Sequence, residues 1–184
     1  MIEHFSLSIQ SSSCIEFTEY RKKKMIGIMA DSHDNLHAVK QAIGFFKKME
    51  CDLVIHAGDF VAPFAARELE NLSCPVKAVF GNCDGERQGL KKVFRSFGVI
   101  KEAPFTFNYL NLNFLLTHVH SSLKSYLASQ KYDVLVFGHT HKPEMKTVGQ
   151  TLLINPGETG GWVSGKNTVA ILDTDPRKAE IITL

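Results

Sequence analysis

Short apolar runs recur along this chain, and five of them stop at side chains that often bind metals. The runs are four or five residues long and rich in Val, Ile, Leu and Phe, a pattern that predicts buried β-strands. They cover residues 26–30, 53–57, 76–80, 113–117 and 134–137. The polar segments that follow them are Asp31-Ser32-His33, Gly58-Asp59, Gly81-Asn82-Cys83-Asp84, His118 and Gly138-His139-Thr140-His141. Since open α/β sheets bind ligands beyond the ends of their strands, we expect these side chains to meet.

Apolar residues also recur at helical spacing after each of the first three strands. Residues 36–49 and 90–97 each carry one apolar face, and we expect Gly98 to close the second of these helices. Residues 60–72 predict a helix with Pro63 near its first turn, where proline is tolerated. The resulting β-α-β-α-β-α order favours parallel strands joined by right-handed crossovers.

The second half of the chain predicts mostly strands. Hairpins are expected over 105–117 and 144–154, and two closing strands lie within 169–183. A short helix over 123–130 precedes the strand at 134–137. Many strands with few helices favour a second, mixed sheet. The fold class is therefore predicted as α/β, a four-layer α-β-β-α sandwich of two mixed sheets.

Composition indicates the general class of protein and the compartment in which we expect it. The chain has 184 residues, 44% hydrophobic and 22% charged, which suits one globular domain. A net charge of +2 gives no strong signal for nucleic acid, and no apolar run approaches the roughly 20 residues that span a membrane. The four cysteines show no paired spacing and indicate reduced thiols, so we expect a cytoplasmic protein. The sequence leaves open whether the chain forms a homo-oligomer.

The first 24 residues differ from the rest. A serine-rich stretch over 6–13 and a basic cluster over 21–24 precede Met25. A signal peptide has its positive charge first and an apolar stretch second, whereas here the order is reversed and the apolar stretch is missing. We expect an N-terminal extension over 1–24, either a disordered or surface-lying arm or sequence upstream of the true start, and a domain over 25–184.

Together the polar segments offer more ligands than one metal ion takes. They supply the carboxylates of Asp31 and Asp59, the amide of Asn82 and the imidazoles of His33, His118, His139 and His141. This set suits two five- or six-coordinate divalent ions. In an extended segment, residues two apart point the same way, so each Asp-x-His or His-x-His pair can serve one ion. Any single member has a plainer explanation as a cap, a turn former or a core polar group, but the recurrence after five strands favours a metal cluster.

In this order the motifs resemble those of the calcineurin-like metallophosphoesterase family: Asp-x-His, Gly-Asp, Gly-Asn-x-Asp, His and Gly-His-x-His. Segments 81–84 and 155–158 are similar to its YfcE-like branch of small phosphodiesterases. The resemblance implies a small phosphodiester substrate and two divalent metal ions (Mn, Ni, Fe, Co or Zn). It implies that one ion is held by Asp31, His33, Asp59 and His141, and the other by Asp59, Asn82, His118 and His139. It also implies in-line attack on phosphorus by a hydroxide that bridges the two ions.

Two residues depart from the family pattern: Val119, which stands where relatives often have Gly, and Cys83. Many relatives carry His after the Asn, where it can protonate the leaving group, but here Cys83 stands in that place. His120 is a candidate acid instead. The alternative interpretation, equally favoured, is that His120 is only a surface histidine near the site. Asp84 is expected to orient a ligand or a catalytic water, or else to cap the following helix. The candidate catalytic residues are therefore Asn82, Asp84, His118 and His120.

Two other classes of function remain open. A binding module is the first, because the small retromer subunit, a relative of this fold, is a scaffold that has lost part of its metal ligation. A phosphomonoesterase or nuclease is the second. A complete ligand set argues against the scaffold, and a net charge of +2 argues against the basic groove of a nuclease. A metal-dependent phosphodiesterase is the interpretation that the motifs favour.

Overall fold

The computed structural model describes residues 24–184 of the chain. They form eleven strands: β1 (Met25–Met29), β2 (Leu53–His56), β3 (Val76–Val79), β4 (Gly98–Lys101), β5 (Phe105–Tyr109), β6 (Leu112–Leu116), β7 (Val134–Val136), β8 (Glu144–Val148), β9 (Thr151–Asn155), β10 (Thr168–Thr174) and β11 (Arg177–Thr183). The α-helices of this range are α1 (Leu36–Lys48), α2 (Pro63–Ala66), α3 (Arg87–Phe94) and α4 (Leu123–Ala128), and a 3₁₀ helix (Arg67–Asn71) continues α2. Apart from Lys24, the expected N-terminal extension lies outside the described residues.

The first sheet contains six strands in the order β11-β10-β1-β2-β3-β4. Strands β1 to β4 are parallel, as the alternation of strands and helices predicts. β10 is antiparallel to β1, and β11 is antiparallel to β10. β1 therefore lies inside the sheet, where Ile28 is opposite both Ile55 of β2 and Ala170 of β10.

The second sheet contains five strands in the order β5-β6-β7-β9-β8. Its inner strands β6, β7 and β9 are parallel, and the two hairpins add β5 and β8 as antiparallel edges. Both sheets are thus mixed, and the expected hairpins form at the predicted places.

Three hydrophobic clusters show how the layers are stacked. The first lies between the two sheets and includes Ile28 of β1. The second packs the first sheet against α1 to α3 and includes Phe46 and Phe94. The third packs Leu135 of the second sheet against α4, through residues such as Tyr126. The layers therefore run helix, sheet, sheet, helix, which confirms the four-layer α-β-β-α sandwich.

Helix α1 ties the first sheet to a loop of the second half. Its N-cap residue is Asn35, whose side-chain oxygen accepts the N–H of Ala38 at 3.2 Å. The amide nitrogen of Asn35 donates to the carbonyl of Gly160 at 2.7 Å. The start of α1 is therefore fixed to the loop that follows β9. At 13 residues α1 is the longest described helix, and no helix in this part of the chain is long and apolar enough to cross a bilayer.

Two details of the helix predictions are wrong. Residues 60–72 contain one α-helical turn and the 3₁₀ helix, because the N–H groups of Phe60 and Val61 donate to Asp84 and delay the helix until Pro63. Gly98 does not close α3 but begins β4, an edge strand that the sequence analysis missed. A side chain at Gly98 would collide with the backbone of Val76 on β3, so close strand contact explains this glycine.

Candidate metal centre

Five loops bring polar side chains to one edge of the sandwich. They follow β1, β2 and β3 in the first sheet and β6 and β7 in the second. Two hydrogen bonds join loops across the sheets: His118 Nδ1 donates to the carbonyl of Ala57 at 2.7 Å, and the His139 N–H donates to Asp31 at 3.0 Å. The predicted site residues of both halves therefore meet at this edge.

A first group of ligand atoms comes from Asp31, His33 and His141. Asp31 Oδ1 lies 3.5 Å from His141 Nε2 and 3.9 Å from His33 Nε2. The two imidazole nitrogens are 3.3 Å apart. Two ring nitrogens and one carboxylate oxygen thus converge, with spacings that an ion placed among them would satisfy.

A second group surrounds Asn82. Its Oδ1 lies 2.9 Å from His118 Nε2 and 2.8 Å from His139 Nδ1. Asp59 joins the two groups, because its Oδ2 is 3.3 Å from His118 Nε2 and 3.7 Å from His33 Nε2. All seven candidate ligands therefore lie in one cluster, with Asp59 between its two groups.

The backbone that presents these side chains differs from the extended geometry expected for the Asp-x-His and His-x-His pairs. Asp31 and His33 have φ angles of 52° and 42°, and His139 and His141 have 71° and 58°. These values lie in the left-handed region, which residues other than glycine adopt only where the surroundings hold them. Asp31 and His33 therefore meet in one ligand group through a tight turn, whereas the turn at His139 and His141 directs these two histidines to different groups.

Close contact between the loops after β2 and β3 explains Gly81. Gly81 has no positive φ, so its backbone conformation does not require a glycine. A side chain on Gly81 would instead collide with Asp59, the carboxylate between the two groups. Gly58 differs, because its φ of 94° lies in a region that favours glycine.

Asp84 holds these two loops together. Its buried carboxylate accepts hydrogen bonds of 2.7–3.1 Å from the backbone N–H groups of Asp59, Phe60, Val61 and Gly81. The N-cap residue of α3 is Glu86, so Asp84 does not cap that helix. Asp84 acts on the cluster through the backbone of Asp59, consistent with the orienting role expected for it.

Glu158 is a functional candidate that the sequence analysis missed. Its carboxylate is fully buried, and its Oε1 lies 3.3 Å from Nδ1 of His141. A carboxylate behind a metal-binding imidazole commonly fixes the orientation of the ring. Segment 155–158 was noted only for its family resemblance, although an acidic residue shortly after the end of a buried strand was an available signal.

Asn155 also escaped the sequence analysis. Its amide nitrogen donates to the carbonyl of Gly138 at 3.2 Å and to Oγ1 of Thr140 at 2.9 Å. These contacts brace the loop that carries both histidines of the Gly-His-x-His motif. No signal in a single sequence separates this asparagine from an ordinary strand-end residue.

The pKa values of the two carboxylates of the cluster are shifted in opposite directions. Burial raises the pKa of Asp31 to about 7, and the negative charge of Asp59 adds to the rise. Burial also opposes ionisation of Asp59, but hydrogen bonds from His118 and from the Cys83 N–H outweigh it and hold its pKa well below the usual range. Burial alone would lower the pKa of His118, yet its bond to Asp59 raises it overall. His118 thus stabilises the charged form of Asp59, whereas the effect of burial on Asp31 is only partly offset.

The donor set fits divalent cations. Buried carboxylates that are ionised together require a compensating positive charge. His118 donates its Nδ1–H to the protein backbone, which leaves Nε2 directed at the cluster as a ligand atom. Mixed carboxylate, amide and imidazole donors suit Mn, Fe, Co, Ni or Zn better than Ca or Mg.

Two further side chains lie on the solvent side of the cluster. The ring of His120 stacks on that of His139 with 5.7 Å between centroids. Cys83 is exposed, and its N–H donates to Asp59 at 2.8 Å. Burial and the neighbouring charge of Asp59 raise the pKa of the Cys83 thiol to about 11. Both candidates for proton transfer are therefore placed beside the ligands.

Two mixed sheets with Asp, Asn and His side chains clustered at their strand ends define a metallophosphoesterase-type fold. Residues 25–177 match the family model of the calcineurin-like phosphoesterase superfamily domain. The chain belongs to this family, which confirms the resemblance noted from its motifs.

Individual relatives identify the branch. The chain is 39% identical over 166 residues to phosphodiesterase MJ0936 of Methanocaldococcus jannaschii, covering 86% of this chain and 98% of that protein. It is 30% identical over 143 residues to phosphodiesterase YfcE of Escherichia coli, covering 70% and 75%. A solved structure described as a novel archaeal phosphodiesterase has a TM-score of 0.82 and 38% identity, over 87% of this chain and 99% of that one. These similarities confirm the YfcE-like branch.

Proposed function

We propose that this protein is a phosphodiesterase that uses two divalent metal ions to hydrolyse small phosphodiesters. The position of Asp59 carries the proposal, because one carboxylate within reach of two ligand groups suits a pair of ions. Relatives that are themselves named phosphodiesterases support the type of reaction.

Each group of ligands would hold one ion. Asp31, His33 and His141 would bind the first, Asn82, His118 and His139 the second, and Asp59 both. When bound, the ions would lower the pKa of a water between them and neutralise the charge that builds on the phosphoryl oxygens during in-line attack.

The chain's own residues keep the ligands in place. Asp84 fixes the backbone of Asp59, and Glu158 faces the rear nitrogen of His141. Asn82 contributes a neutral oxygen, which limits the negative charge that the site presents to an anionic substrate. Because both supports are buried, the ligands keep their geometry when substrate enters.

Proton transfer to the leaving oxygen has two candidates. The Cys83 thiol, with its pKa raised to about 11, is a weak donor near neutral pH. His120 carries an imidazole, a side chain that often serves as a general acid, and its ring stacks on that of His139. We propose His120 as the acid for substrates that need one.

Metal titration tests the first part of the proposal. After removal of metals with a chelator, hydrolysis of bis(p-nitrophenyl) phosphate should stop, and Mn²⁺ or Ni²⁺ should restore it. Isothermal titration calorimetry should find two ions per chain. Full activity in metal-free protein, or a single ion in fully active protein, would contradict the proposal. Metal binding without any phosphodiesterase activity would favour the scaffold alternative.

Paired variants test the role of Asp59. Asp59→Asn should reduce binding of both ions, whereas Asp31→Asn should weaken only one of them. We expect kcat/KM to fall about tenfold further for Asp59→Asn, a difference of about 1.4 kcal/mol. Asp133→Asn, which removes a carboxylate paired with Arg177 away from the cluster, is the matched control. Equal loss of metal in the two cluster variants would refute the shared position of Asp59.

A further inference from the structure

Two exposed apolar side chains lie beside the metal centre. Trp162 is 67% exposed and Val163 is 77% exposed, the highest fractions among the large hydrophobic residues of the described range. Trp162 is also the single tryptophan of the chain. Because tryptophan has so much apolar surface, an exposed one commonly marks a surface that contacts a ligand or a partner.

The indole of Trp162 is tied to a loop of the metal centre. Its Nε1–H donates to the backbone carbonyl of His33 at 3.0 Å. The imidazole of the same residue lies 3.7 Å from Asp59 and 3.3 Å from His141. Trp162 is therefore bonded to the backbone of His33, whose side chain we expect to bind a metal ion at the place where the phosphate would lie.

The loop that carries Trp162 is held from beneath. The buried carboxylate of Glu158 accepts the N–H groups of Trp162 at 2.8 Å, Val163 at 3.0 Å and Ser164 at 2.8 Å. Hydrogen bonds to an ionised group are stronger than those between neutral groups. At the base of the loop, the Gly160 N–H donates to the carbonyl of Asp31 at 2.9 Å. The backbone of this loop is thus held by hydrogen bonds while the indole remains exposed to solvent.

We propose that Trp162 is a specificity-determining residue whose indole face packs on a planar aromatic group of the substrate. The substrate class is a phosphodiester that carries an aryl group or a nucleobase, with its phosphate at the metal centre. Aromatic stacking adds affinity for planar groups of many kinds, because each of them has a π-face. This inference rests on the proposed function and adds the class of ester group to it.

Binding of substrate fragments tests the proposal without turnover. Zinc-loaded protein is titrated by calorimetry with phenylphosphonate and with methylphosphonate, which share the metal-binding group. We expect phenylphosphonate to bind about tenfold more tightly, equivalent to about 1.4 kcal/mol. A second pair, adenosine monophosphate and ribose 5-phosphate, distinguishes a nucleobase from a simple aryl group, and the pair with the larger ratio identifies the preferred source.

Three variants separate stacking from structural effects. Trp162→Ala should bring the ratio of the affinities for phenylphosphonate and methylphosphonate close to one. Trp162→Phe should retain most of the preference for phenylphosphonate. Leu110→Ala is the control, since Leu110 is also exposed (45%) but lies in the turn before β6, at the edge opposite to His118. In the unmodified protein, the emission of the single tryptophan should change with phenylphosphonate and saturate at the concentration found by calorimetry.

The possible contrary results are distinct. Equal affinities for the two phosphonates, or a ratio that survives Trp162→Ala, would overturn the proposal. If Trp162→Phe loses as much as Trp162→Ala, the indole acts through its bond to His33 and stacking is refuted. If zinc binds but neither phosphonate does, and no diester is hydrolysed, the proposed function fails and this inference fails with it.

Discussion

Asp31 and Asp59 are both buried carboxylates of one cluster, yet they differ in how their charge is balanced. Asp59 is paired with His118, which keeps it ionised. Asp31 accepts the N–H of His139, but burial dominates and raises its pKa to about 7. The folded, metal-free protein therefore favours the neutral form of Asp31 and the charged form of Asp59.

This contrast predicts opposite stability effects in metal-free protein. The pKa of Asp31 is higher in the folded state than the ordinary value of 3.8, so its contribution to stability is full below about pH 4 and is lost as pH rises through 7. Asp31→Asn should therefore raise the melting temperature at pH 8, by about 10 °C, and change it little at pH 4. Asp59→Asn should lower it at pH 8. Thermal melts in chelator measure both, and two shifts of the same sign would contradict the electrostatics described above.

Cys83 leads to a prediction about leaving groups. General acid help is typically worth about 10²–10⁴-fold, and a thiol with a pKa of about 11 supplies little of it. Aryl diesters should therefore be cleaved much faster than alkyl diesters, because a phenolate leaves without a proton. Cys83→His should reduce the ratio of the aryl to the alkyl cleavage rate, and His120→Ala should increase this ratio if His120 is the acid. Equal rates for both ester types, with chemistry shown to be rate-limiting, would refute the prediction.

The seven candidate ligands could be predicted from sequence because each follows an apolar run and keeps a short, recognisable spacing. The position of Glu158 after a strand was visible in the sequence, but its contact with His141 was not predictable, since it depends on how a distant loop folds back onto the cluster. The left-handed backbone at Asp31 and His33 was also unpredictable. Non-glycine residues carry no local signal for that conformation, which tertiary contacts impose.

At the scale of elements, one side chain organises the junction between the loops after β2 and β3. A carboxylate can accept the four N–H groups that converge on Asp84, whereas an amide offers one oxygen and an N–H₂ group that opposes donors. The same network explains why the helix expected over 60–72 starts late. Local periodicity predicts where a helix can form, but the backbone bonds at its start decide where it does.

Asp84→Asn tests this junction. We expect it to destabilise the protein by about 3 kcal/mol, or roughly 10 °C in melting temperature, because buried donors lose their partner. Glu102→Gln is a suitable control, since Glu102 forms an exposed pair with Arg87 that should be worth less than about 1 kcal/mol. Urea unfolding of both variants gives the difference. A loss for Asp84→Asn no larger than that of the control would show that the junction does not depend on this carboxylate.

At the scale of the whole molecule, the order and layering of strands follow from alternating apolar runs, which is why the sandwich was predictable. The edge strand β4 was not, since its apolar part consists only of Val99 and Ile100, a run too short to predict a strand. The boundary near Met25 stays a prediction. Lys24 makes an exposed pair with Asp52, and its carbonyl accepts the Thr174 N–H.

A shortened chain that starts at Met25 is expected to fold and bind metals like the full chain, because none of the candidate ligands precedes Met25. Its melting temperature should fall by no more than the few degrees that about 1 kcal/mol produces in a protein of this size. Calorimetric melts and metal titrations of the two chains provide the comparison. A much larger drop would mean that residues 1–24 pack on the domain.

The pairing of β1 with β10 has a consequence for how the protein is made. The ribosome produces β1 long before residues 168–174, so the nascent chain carries β1 with one unpaired edge until those residues appear. A product that stops after residue 141 but before residue 168 contains every candidate ligand but cannot complete its first sheet. Such fragments should aggregate or be degraded instead of surviving as smaller enzymes, and the first sheet closes only after β10 has left the ribosome.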